Sequence, residues 1–72
     1  MIYQLYIRFP HTEPDAAMTI DAIPAVSFIF DPANTDYANF KSQINADEAQ
    51  LEDADGVLMS PEEAKAFVAT LP

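Results

Sequence analysis

A chain of 72 residues without a cysteine has to fold on side-chain packing alone. That length makes one domain at most, close to the lower size at which a domain folds unaided. A core this small supplies only roughly 3–5 kcal/mol. The missing cysteines exclude disulfides and thiolate zinc sites, and the single histidine, His11, excludes any site built on two imidazoles. Assembly, with itself or with another chain, therefore gains weight by elimination. Half of the residues are apolar, which separates the chain from disordered tails.

Charge narrows the partners. Three basic residues face twelve acidic ones, a formal net charge of −9. Such a surface repels nucleic-acid phosphates and anionic lipid headgroups, so direct nucleic-acid or membrane binding is not expected. It attracts basic protein surfaces, with a salt-sensitive reach. The same charge also serves plain solubility. No basic segment precedes an apolar stretch at the N-terminus, where the first basic residue is Arg8. The longest nearly apolar run, Ala22 to Phe30, contains Pro24 and Ser27 and is too short to span a bilayer. A soluble chain, neither secreted nor membrane-bound, is expected.

Periodicity predicts an α+β domain: a small antiparallel sheet of two or three strands followed by two short helices packed on one face. Ile2 to Phe9 reads as a strand, with Tyr3, Leu5, Ile7 and Phe9 alternating onto one apolar face. Pro10 to Ala17 reads as a loop. Met18 to Asp21 offers a short strand, and Ala25 to Phe30 a clearer one by its β-branched and aromatic content. Asp31-Pro32 stops that strand, and Asn34 or Thr35 can cap a helix whose buried stripe is Tyr37, Phe40 and Ile44. This helix should end near Ala46 or Ala49. Gly56, the only glycine, follows Asp55 in a tight turn that calls for positive φ. Ser60-Pro61-Glu62-Glu63 carries the pattern of a capping box with proline at the first helical position. Ala64, Phe67, Val68 and Leu71 then form the stripe of a final helix ending at Pro72.

The chemistry-bearing residues do not assemble into a catalytic set. Ser27, Ser42 and Ser60 each sit where a strand, helix or cap already uses them, and His11 lies in a proline-bracketed loop. One glycine cannot build a phosphate cradle. Aligning a calcium loop on Gly56 places Asp53 and Asp55 at ligand positions and Glu62 at the bidentate end, but puts Leu51 at the first position, where it cannot ligate. Asp53 to Gly56 is therefore read as turn chemistry. No enzyme activity, metal or cofactor is expected.

Two surfaces remain as binding candidates. Asp47, Glu48, Glu52, Asp53 and Asp55, joined by Glu62 and Glu63, hold seven of the twelve acids and would suit a basic groove, or simply form a solvated helix end and loop. Tyr3 and Tyr6 point to opposite faces of the first strand, so either one face meets a partner or the sheet is covered on both sides. Tyr3, Tyr6, Arg8 and the Pro10–Asp15 loop with His11 are the contact candidates on that side.

The segment Phe30-Asp31-Pro32-Ala33-Asn34-Thr35-Asp36-Tyr37 resembles a phrase found in small uncharacterised proteins of tailed bacteriophages, where it follows an apolar strand and opens a short helix. Asp53-Ala54-Asp55-Gly56 and Met59-Ser60-Pro61-Glu62-Glu63 are similar to phage sequences of the same kind. The resemblance covers the chain from about Phe30 onward and carries no catalytic or binding residues. It implies a phage protein. Together with the small core and the spare apolar face of the first strand, the expectation is a virion or host-cytoplasm protein, a capsid decoration (cement) or tail accessory subunit that binds virion proteins. The alternative is an acidic inhibitor of a host defence or nucleic-acid-binding protein, of the anti-CRISPR or DNA-mimic type.

Overall fold

Six elements follow one another in the computed structural model, which describes residues 1–72: β1 (Ile2–Tyr6), β2 (Ala16–Thr19), β3 (Ser27–Ile29), α1 (Thr35–Asn45), β4 (Gln50–Glu52) and α2 (Pro61–Ala69). The class is α+β, as the sequence predicts. The sheet is larger than expected, with four strands in the order β3-β2-β1-β4. It is also mixed: β2 pairs antiparallel with β1 and β3, whereas β4 lies parallel to β1. β3 and β4 thus run in the same direction at opposite edges, and α1 carries the chain between them.

Both helices cover one face of the sheet. Tyr3, Leu5, Ala17, Phe28 and Leu51 from the strands meet Tyr37, Phe40, Ile44, Ala64 and Val68 from the helices in a single buried cluster. Aromatic rings join the two layers: Phe40 lies 5.0 Å from Tyr3 and 5.3 Å from Phe28, with Phe30 stacked beside it at 6.1 Å. Edge-to-face and offset contacts of this kind add to the area they bury. The one buried polar side chain, Thr19, accepts a hydrogen bond from the Val26 N–H at 2.9 Å.

The helix ends follow local chemistry. Asn34, the first of the two candidate caps, accepts from the N–H groups of Asp36 and Tyr37. α1 stops at Asn45 because Asp47 turns left-handed at φ 60°, so that the Asp47 and Glu48 N–H groups close onto Ile44 and Gln43. Aspartate is among the few residues that tolerate this conformation. At α2, Ser60 Oγ accepts from the Glu63 N–H at 3.1 Å and Glu63 Oε1 accepts from the Ser60 N–H at 3.2 Å, with Pro61 in the first helical turn. Ser60→Ala should therefore cost about 1 kcal/mol of stability, read as a lower urea midpoint with an unchanged slope.

Several boundaries differ from expectation: β3 is confined to Ser27–Ile29 within the expected Ala25–Phe30, and α2 stops at Ala69, short of Leu71 and Pro72. The first strand ends at Tyr6 rather than Phe9, because Tyr6↔Ala16 is the last pair and Arg8 is drawn to Asp15 instead. Ile7 and Phe9 leave the expected apolar face and are exposed, Phe9 to 98 %. Ala16 and Ala17 belong to β2, not to a loop: Ala16 sits between Tyr6 and Ile29, and Ala17 between Leu5 and Phe28, where a larger side chain would collide. β4 was not expected at all, since three residues show no period and its pairing partner is remote in sequence.

Candidate functional site

One face of the sheet has no helix over it. Side chains alternate along strands, and the register sets Ile2, Gln4 and Tyr6 of β1 beside Ile20, Met18 and Ala16 of β2 on this open face. Ser27 and Ile29 of β3 continue the face to one edge, and Gln50 and Glu52 of β4 close the other. Ile2, Tyr6 and Met18 are half-buried, while Ile20 and Ile29 are exposed. The β1–β3 part of the face is thus mostly apolar, interrupted by Gln4 and Ser27.

The β4 side is acidic. A Cβ added to Gly56 would lie 3.8 Å from both Gln4 Nε2 and Glu52 Oε1, which places the Asp53–Val57 turn beside the open face. Gly56 has φ +83°, the left-handed conformation expected of it. Asp53 Oδ1 accepts from the N–H groups of Asp55 and Val57, each at 2.9 Å, and so braces the turn. Nowhere do three His, Asp or Glu side chains converge to hold a metal ion.

The sequence candidates separate on inspection. Tyr3 is a correction: it lies 4 % exposed in the core, and its hydroxyl donates to Gln43 Oε1 at 2.6 Å. The helices chose its face, which strand alternation alone cannot decide. Tyr6 stands on the open face. Arg8 and His11 are exposed but share one anchor, Asp15, with Arg8 Nε at 2.6 Å and His11 Nε2 at 3.5 Å. The acidic residues split along the chain: Asp47 and Glu48 precede the three-residue β4, Glu52 ends it and Asp53 and Asp55 follow, while Asp47 and Glu63 line one concavity. Asp47 holds Lys65 at 2.9 Å.

Every cationic group is engaged within the chain. Besides those two pairs, Lys41 Nζ donates to the Pro72 oxygen at 2.6 Å and lies over the Tyr37 ring, and the N-terminal amine stands 3.6 Å from Asp21. Of the twelve acidic side chains, Asp15, Asp21 and Asp47 have a cationic partner, which leaves nine without one. The net charge is legible in the sequence, but this sorting is not, because the pairs span turns and termini.

The Arg8 N–H, with partial burial opposing and the Arg8 side chain assisting, holds the Asp15 carboxyl below the usual carboxylate range. The Ile2 N–H, against the same opposition and with help from the N-terminal amine, does so for Asp21. Both folded values lie below the unfolded one, so their stabilisation is present above about pH 4 and is lost as pH falls through the folded values. Thermal melts toward acid should show this loss, and Asp15→Asn together with Asp21→Asn should flatten it.

A concavity of about 490 Å³ opens between the end of α1, β4 and the start of α2, lined by Ile44, Leu51, Met59 and Ala64 among others. Three of its polar residues have partners within the chain, Ser60 and Glu63 in the capping box and Asp47 with Lys65, whereas the Gln50 side chain has none. No protein-family model, curated protein or solved structure matches the chain.

Proposed function

We propose that this chain works by binding another protein, without catalysis, as a phage virion-associated subunit of the capsid-decoration or tail-accessory kind. The unpartnered apolar face of the sheet carries the protein-binding part. Such a patch is costly to leave in water, and in a 72-residue chain its burial would add materially to a small core. The phage part draws on the resemblance of Phe30–Tyr37. Many copies on a repeated lattice would let each contact be weak.

Quantitative mass spectrometry of purified particles from the encoding phage tests this. Hundreds of copies per particle point to a capsid or tail-tube position, and a few copies to the tail tip or portal. Absence from particles, with the chain abundant in infected cells, overturns the virion role. A second function then takes its place: an acidic inhibitor of a host protein, favoured by the nine carboxylates that lack a cationic partner.

A further inference from the structure

We infer that the open sheet face is a docking site for a basic amphipathic protein element, with an apolar stripe lying on β1–β3 and Lys or Arg side chains along the β4 side. The inference rests on the protein-binding function proposed above and names the chemistry of the partner.

Two independent features select that occupant. The first is the patch itself: Ile2, Tyr6, Met18, Ile20 and Ile29 are neighbours by register, both helices lie on the other face, and Ile20 and Ile29 are exposed with the other three partly so. Apolar side chains on such a face gain free energy when another layer buries them. The second is the distribution of charge around it. Glu52 lies on the face and Asp55 in the turn beside it, neither with a cationic partner, while Arg8, Lys41 and Lys65 are all tied up elsewhere.

A second copy of the chain is the obvious competitor, and charge argues against it. Apposing two open faces would bring together two chains each of net charge −9, with Arg8, Lys41 and Lys65 already paired within each chain. An anionic membrane surface meets the same repulsion. A basic element gains on both counts, by apolar burial over β1–β3 and by attraction along β4.

The probe is a synthetic helix of Leu and Lys, about five turns long, with its apolar stripe flanked by lysines. Its twin carries Glu in place of Lys. Each is titrated into the isotope-labelled chain while backbone amide resonances are followed. The Leu/Lys helix should bind and shift amides of β1, β2 and β3, more weakly as salt rises, and the Leu/Glu twin should not. Met18→Lys with Ile29→Lys should weaken binding at least ~10-fold. Glu52→Gln with Asp55→Asn should weaken it several-fold and flatten its salt dependence.

Shifts confined to the helices or to the acidic turn, or affinity unchanged by Met18→Lys with Ile29→Lys, overturn the inference. So does failure of the Leu/Lys helix to bind. A chain that sediments as a dimer and becomes monomeric on Met18→Lys with Ile29→Lys assigns the face to a second copy instead. If the inference fails while the chain is found stoichiometrically in particles, the protein-binding function stands and only the partner's chemistry is wrong.

Discussion

Phe40→Ala is expected to leave the chain largely unfolded at room temperature. Phe40 is wholly buried, and its ring sits among Tyr3, Phe28 and Phe30, the point at which α1 is fixed to β1 and β3. Truncating a buried phenylalanine costs about 3–5 kcal/mol through lost transfer energy and the cavity left behind. A core of this size provides only roughly the same amount. Circular dichroism should show loss of the helical signal without denaturant. Phe40→Leu keeps much of the volume, should cost less, and should still unfold cooperatively in urea. If Phe40→Ala instead unfolds with a midpoint near that of the parent, the aromatic cluster is not what fixes α1 to the sheet.

The helices were legible in the sequence because their determinants are local. Ser60, Pro61 and Glu63 specify the start of α2 within four residues, and Asn34 with Tyr37, Phe40 and Ile44 specifies α1 by cap and stripe. Gly56 was legible for the same reason, since a turn after Asp55 needs a residue at ease with positive φ. What the sequence obscured was decided by distant partners. Leu51 joins the core only because β4 finds β1 across more than forty residues, and Gln50–Glu52 alone carries no strand pattern. Ala16 and Ala17 have poor strand preference and are selected by the bulk of Tyr6, Ile29, Leu5 and Phe28 around them.

The binding surface shows the same division. Alternation correctly sets Tyr3 and Tyr6 on opposite faces, but the side on which the helices settle is a packing outcome, and it removed Tyr3 from the surface. The acidic cluster looked continuous because Asp47 to Asp55 are close in sequence. β4 runs between its two halves, and Asp47 is drawn to Lys65. Asp53 and Asp47 also have internal duties that no composition could reveal.

Raising the pH should unfold the chain through two of its tyrosines. Burial pushes the phenols of Tyr3 and Tyr37 above their ordinary value of 10.0, and for Tyr3 the charges of Asp36 and Asp21 add to it. Each hydroxyl is also a donor: Tyr3 to Gln43 Oε1 at 2.6 Å, Tyr37 to the Pro72 oxygen at 2.7 Å. A phenolate at either place loses its bond and faces an acceptor oxygen. The folded chain therefore holds these two protons more tightly than the unfolded one. Their stabilisation is complete below about pH 10 and is lost as pH rises through the unfolded and then the folded values. Phenolate absorbance and helical ellipticity, followed together toward alkali, should change in step for these two groups. Tyr3→Phe with Tyr37→Phe should give up about 1 kcal/mol per hydrogen bond at neutral pH, yet move the alkaline midpoint upward, because no buried phenol is left to ionise. Full ionisation of both phenols with the ellipticity intact would show that their protons are exchangeable from the folded state, and that the bonds to Gln43 and Pro72 do not hold α1 in place.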